Sequence, residues 1–181
     1  MQALVLPYDG HAPQLGEEVF LAPGAKLIGQ ATLGDRVSVW YNAVVRADVH
    51  WIRIGADSNI QDGAVLHGQK GEFPVELGER VSVGHQATVH GAIIEHDCLI
   101  GIGARVLDGC RIGHHSLIAA GAVVREGTII PPRSLVVGVP AQVKRELSER
   151  ELEIIARTPG RYREYARLTA AALHAHRNEL A

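Results

Sequence analysis

From Ile94 onward, every sixth residue is aliphatic: Ile94, Ile100, Val106, Ile112, Ile118, Val124, Ile130 and Val136. Ile and Val together number 33 of 181 residues. Eight in a row at that spacing would arise by chance on the order of once in a million. Four residues after each stand Cys98, Ala104, Cys110, Ser116, Ala122, Thr128 and Ser134, all small. The unit also runs upstream in shifted registers. Leu21, Leu27, Leu33, Val39 and Val45 are followed four residues on by Ala25, Ala31, Val37, Ala43 and Val49. Ile54, Ile60 and Leu66 continue it after a slip, and Leu77, Val83 and Val89 after a short insertion. Such a period predicts one short strand and one turn per unit, the architecture of a parallel β-helix. The aliphatic and the small residue point inward and fill a narrow tube, while glycine supplies the positive φ that turns need.

Three units make one triangular coil of roughly 18 residues in the left-handed form of this solenoid, whose hand departs from the usual crossover rule. The predicted fold is all-β: a parallel β-helix of hexapeptide repeats over residues 18–144, left-handed by resemblance to the known hexapeptide solenoids and not by its period. An N-terminal segment, 1–17, precedes it and a C-terminal α-helical tail, 145–181, follows. In that tail Ser148-Glu-Arg-Glu151 predicts a capping box. Thr158-Pro159-Gly160 predicts a break before a second helix from Arg161 to Asn178. The apolar stripe of that helix, including Tyr165, Leu168, Ala172 and Leu173, is expected to pack on the solenoid flank.

Composition narrows the classes of function. Lys+Arg is 18 against 20 Asp+Glu, which argues against a polybasic nucleic-acid surface. Two Cys rule out a disulfide framework, and both occupy small inward positions of the repeat. No apolar run approaches the ~18–20 residues of a membrane span, and the N-terminus lacks signal-peptide features, so a cytoplasmic protein is expected. The aromatic content of 4% leaves the core to branched aliphatics.

Ten histidines stand out against so few aromatics. His11, His50, His96, His114, His115, His174 and His176 show no metal-ligand spacing, and His114-His115 reads as a solvated turn. On the coil grid Ile54, Ile60 and Leu66 start a first, second and third face, and Leu77, Val83 and Val89 start the same faces one coil higher. His67 and His90 then hold the same place on the third face, about one strand spacing (~4.8 Å) apart. His85 belongs to the second face and a different corner. Either the three share no metal, or His85 reaches the pair from a neighbouring subunit. The second alternative predicts a cyclic trimer with interfacial metals. Arg46 falls one coil below His67, and Asp62 one coil below His85, so an Arg46–Asp62 ion pair across such an interface is expected.

The chain resembles the γ-class carbonic anhydrases. The residues that carry the resemblance are Val45-Arg46-Ala47-Asp48, Ile54-Gly55, Ser58-Asn59-Ile60-Gln61-Asp62-Gly63, Leu66-His67, Val83-Gly84-His85 and His90-Gly91, with Gly138-Val139-Pro140-Ala141 downstream. The resemblance implies a homotrimer with a divalent metal at each interface, Zn2+ first, with Fe2+ or Co2+ as alternatives. It implies His67 and His90 as ligands from one subunit and His85 from the next. It also implies reversible hydration of carbon dioxide to bicarbonate by a metal-bound hydroxide. In that reading Gln61 orients hydroxide or substrate, Asn59 positions Gln61, and Arg46, Asp48 and Asp62 form the interface network. Tyr162 matches a tyrosine placed near the metal in shorter homologues. Two departures concern the proton shuttle. Val49 stands where founding members carry Glu, and the loop Gly68–Val75 is short, with Glu72 its only acid. The competing classes are a hexapeptide acyltransferase or metal-dependent thioester hydrolase, and a non-catalytic scaffold. The scaffold has no use for intact His67, His85, His90 and Gln61.

Overall fold

The computed structural model describes residues 2–179, so Met1 of the N-terminal segment and residues 180–181 of the tail lie outside the described residues. The chain winds a parallel β-solenoid with three faces of seven strands each. On the first face the strands run from Gln14–Leu15 through 31–33, 52–54, Val75–Leu77, Ile93–Ile94 and Arg111–Ile112 to Ile129–Ile130. On the second they run from Phe20–Leu21 through Ser38–Val39, Asn59–Ile60, Ser82–Val83, Leu99–Ile100 and Leu117–Ile118 to Ser134–Val137. The third runs from Leu4–Leu6 through 26–29, 44–47, Val65–His67, Thr88–His90 and Arg105–Val106 to Val123–Val124. The ladder thus begins at Leu4, inside the segment expected to precede the solenoid, because Leu4–Leu6 and Gln14–Leu15 both pair in parallel with Lys26–Leu33.

All eight aliphatics from Ile94 to Val136 are buried, as are Ile54, Ile60, Leu66, Leu77, Val83 and Val89. Each contributes about 1.5–3 kcal/mol on leaving water. Three expected inward positions differ, Leu21 being half-buried at the first coil. Val49 is exposed and Thr128 is half-buried. The cause at Val49 is a register shift beside residues 44–54: Gly29 pairs with Ala47 but Ala31 with Ile52. The residues between bulge outward and carry Asp48, Val49 and His50 off the tube. The turns repeat one conformation per coil. Arg36, Asp57, Arg80, Asp97, His115 and Arg133, all at the corner between the first and second faces, have φ between 55° and 60°.

The tail departs from its expected form. It is one helix, α1, Glu149–Glu179, and Pro159 lies inside it. The capping box is present: Ser148 N donates to Glu151 Oε2 at 2.7 Å and Glu151 N to Ser148 Oγ at 3.4 Å. Proline has no N–H for the Ile155 carbonyl. Pro159 and Ile155 are both buried, so packing holds the helix through a residue that would end it in isolation. The predicted apolar stripe holds only at Leu173, half-buried beside Phe20 and Leu21. Tyr165 and Leu168 are 48% and 50% exposed, and Ala172 is exposed too. The side facing the solenoid carries Leu152, Ile155, Pro159, Tyr162, Ala166 and Thr169 instead. Tyr162 meets Trp40 edge-on at 5.4 Å, and Arg163 lies 3.7 Å from Asp57. These contacts lay α1 across the second face.

Candidate metal centre

Strand register brings His67 and His90 side by side. They are direct partners between Val65–His67 and Thr88–His90, and Arg46 is the partner of His67 one coil below. His67 Nδ1 and His90 Nε2 lie 3.0 Å apart. The other nitrogen of each ring meets a carboxylate: His67 Nε2 is 3.0 Å from Asp48 Oδ1, and His90 Nδ1 is 2.5 Å from Asp108 Oδ1. Arg46 Nη1 donates to the second Asp48 oxygen at 2.5 Å. Burial pushes the Asp48 carboxyl up, but the bonds from Arg46 and His67 more than offset it and hold the group below the usual carboxylate range. Burial lowers His67 below the ordinary imidazole value, against the opposing Asp48 hydrogen bond.

His85 occupies the corner between the second and third faces. Its Nδ1 is 2.7 Å from Asp62 Oδ2, and the Tyr162 hydroxyl lies 3.4 Å from its Nε2. Burial, with Asp62 and Tyr165 adding to it, pushes the Tyr162 phenol up to about 12, so the hydroxyl keeps its proton at neutral pH. Gln61 is buried beside it. The Gln61 amide donates to Asn59 Oδ1 at 3.1 Å, and its oxygen accepts from the His85 backbone N–H at 3.2 Å. Asn59 in turn donates to Ser82 Oγ at 2.8 Å. Both ends of the Gln61 side chain are therefore held. Trp40, Tyr41, Asp62, His85, Tyr162, Tyr165, Leu168 and Thr169 line an open groove of about 440 Å³ at this corner.

The structure thus gathers the expected site residues into two groups. Arg46, Asp48, His67 and His90 form one, while Gln61, Asp62, His85 and Tyr162 form the other. Within the chain Arg46 pairs with Asp48, and Asp62 with His85. His85 does not join the His67–His90 pair. Among the described residues, the group of three or more His, Cys, Asp or Glu whose ligand atoms all lie within 4.8 Å of one another is His96, His114 and His115, three histidines in which the sequence showed no metal-ligand spacing. Asp108 was missed as a site residue. The signal for it was the coil spacing: it stands 18 residues, one coil, after His90. The Gly68–Val75 loop closes over this corner, and Phe73 packs against Gly91 and Gly109.

The donor set suits a metal. Bonds of ~2.0–2.1 Å place neighbouring ligands roughly 2.9–3.4 Å apart, which the two facing nitrogens match. A carboxylate on the far nitrogen of a ligating histidine fixes its tautomer and aims its lone pair. His67, His85 and His90 each have one, in Asp48, Asp62 and Asp108.

Comparison with known proteins places these groups in context. The bacterial transferase hexapeptide family (six repeats) matches residues 91–126. A protein of Methanocaldococcus jannaschii named a probable carbonic anhydrase is 53% identical over 148 residues, 82% of this chain and 92% of that protein. The carbonic anhydrase of Geobacillus kaustophilus is 44% identical over 157 residues, 85% of this chain and 86% of that protein. Among solved structures, a Bacillus cereus protein described provisionally as an acetyltransferase superposes with a TM-score of 0.92 at 35% identity, over 95% of this chain and 99% of that one.

Proposed function

Since this chain belongs to the carbonic anhydrase family, with the repeat and histidine pattern of its γ class, its function is carbonic-anhydrase-like, and we propose the finer reading that follows. The protein is a lyase that interconverts carbon dioxide and bicarbonate. It works as a homotrimer with its metal sites between subunits, and its metal is Zn2+, with Fe2+ and Co2+ as the other ions that all-imidazole ligation accepts. His67 and His90 hold the metal from one subunit and His85 from the next. The observation that carries this reading is the division of a fully buttressed three-histidine set between two corners of one prism. Exposed Tyr41, Tyr165, Leu168 and Ile102 around the His85 corner support the interface, since a second subunit would cover them. The membrane enters neither the site nor the reading, and no described helix is long and apolar enough to cross one. Two free buried thiols fit the reducing cytoplasm.

When bound, the metal supplies a water acidified to near neutral pH as the nucleophile. The chain's own residues do the rest. Asp48, Asp62 and Asp108 keep the histidine tautomers that leave lone pairs free. Asn59 and the His85 backbone hold Gln61, whose remaining amide proton is available to orient substrate. The Tyr162 hydroxyl lies 3.4 Å from His85 Nε2, beside the ligating position. Arg46 pairs with Asp48 and, across the interface, faces Asp62.

The test is stopped-flow hydration of carbon dioxide with metal content measured on the same sample, for the native chain and for His85→Ala. The native oligomer is expected to hydrate carbon dioxide. The variant should lose that activity and bind its catalytic metal at least about tenfold more weakly, with an unchanged β-solenoid spectrum. A variant oligomer with full activity and full metal overturns the shared site. Metal binding without hydration overturns the substrate, and thioester hydrolysis becomes the next reaction to assay.

A further inference from the structure

The third corner of the prism, between the first and second faces, carries neither half of the site described above. Two successive coils turn there, at Glu95-His96-Asp97 and at Gly113-His114-His115. They are in direct register, since His115 N donates to His96 O at 3.2 Å. The rings of His96 and His114 stack in parallel, 5.1 Å between centroids and 5° between planes. The His115 ring stands at 87° to both, 5.7 Å from His96 and 5.1 Å from His114. His114 Nδ1 and His115 Nδ1 are 3.0 Å apart, and one nitrogen of each of the three rings lies within 4.8 Å of the other two.

We propose that His96, His114 and His115 form a second metal site, for a divalent first-row transition ion, that clamps two adjacent coils independently of the interfacial centre. Among the described residues these two imidazole nitrogens, 3.0 Å apart, are each other's near partner, and an ion satisfies both lone pairs at once. Donors bonded at ~2.0–2.1 Å stand roughly 3 Å apart, so His114 and His115 are already in place. His96 must close by on the order of 1 Å, and its side chain is exposed. Two carboxylates flank the set and add negative charge beside it without holding a far ring nitrogen. Asp97 lies 3.8 Å from His115 Nε2, and Glu95 accepts from the His114 backbone N–H at 3.0 Å. The three-nitrogen donor set selects Zn2+, Ni2+, Co2+ or Cu2+ over Ca2+ or Mg2+. The exposed His96 side leaves coordination positions for water.

Position in the solenoid distinguishes these residues from an ordinary turn. Their corner otherwise stacks opposite charges coil by coil, with Arg36 on Asp57 at 2.8 Å and Arg80 on Asp97 at 2.7 Å. His115 takes the next place in that column, and His96 and His114 flank it on the two coils that meet there.

The test is Zn2+ titration of the chelator-stripped oligomer, followed by competition with a chromogenic chelator and by metal content after gel filtration. The native chain is expected to bind two Zn2+ per chain. His96→Gln/His115→Asn should bind one and keep its carbon dioxide hydration. Asn is chosen because it tolerates the φ of 57° at residue 115. His85→Ala should lose the other ion and keep this one. The exposed single variant His96→Gln, which leaves the turn intact, should weaken the second ion at least tenfold and guards against a misfolded double variant. A native chain that takes one Zn2+ overturns the proposal. So does a His96→Gln/His115→Asn chain that keeps two.

Discussion

Asp108→Asn tests whether carboxylates tune the histidines. Asp108 Oδ1 lies 2.5 Å from His90 Nδ1, so with the proton on Nδ1 the carboxylate is a charged acceptor and His90 Nε2 keeps its lone pair toward His67. Asparagine keeps the shape and removes the charge. Its amide group can also donate to Nδ1, which moves the ring proton to Nε2 and blocks the ligating position. Such outer partners typically govern 10–100-fold in metal affinity, or about 1.4–2.7 kcal/mol. The effect stays in that range because Asp108 acts through His90. Folding should be spared, since the ladder bond at this level runs from Gly127 N to the backbone oxygen of Asp108 at 2.8 Å. The assay is competition for Zn2+ against a chelator of known affinity, with thermal melting of the metal-free protein as control. A variant that binds Zn2+ within about twofold of the native chain, with an unchanged melt, refutes the tuning role.

Two further predictions concern the scaffold. Ile100→Ala empties an inward position that is fully buried and should destabilise the chain by about 2–5 kcal/mol, read from the denaturation midpoint at constant slope. Asp57 is held below the usual carboxylate range chiefly by its hydrogen bond to Arg36, with burial opposing and Arg163 and Arg80 adding charge. Its contribution is therefore complete above the unfolded carboxylate value of ~3.9 and is lost as pH falls through the lower folded value. Asp57→Asn should make stability less dependent on pH across that acid window; an unchanged slope there contradicts the pairing.

What was legible in the sequence, and what was not, follows from the kind of constraint each part obeys. The solenoid repeats one environment, so a period of six announces both the tube and its inward positions. The same grid placed Arg46 below His67, His67 beside His90 and Asp62 below His85, because a coil is a ruler once its length is known. Val49 escaped the ruler. The residues before Ile52 form an outward bulge that carries Asp48 to His67, and a period cannot encode an interruption of itself. The helix obeys a different rule. Its inward side is chosen by what the second face presents, here Trp40 and Asp57, so Tyr162 and Ala166 turn inward while the more apolar Leu168 stays out. Hydrophobicity along the helix reported two surfaces at once, one against its own solenoid and one beside His85. In the proposed trimer, Tyr165 and Leu168 belong to the second surface. The stripe that failed to pack within the chain is then read as the part of the pattern written for the neighbouring subunit.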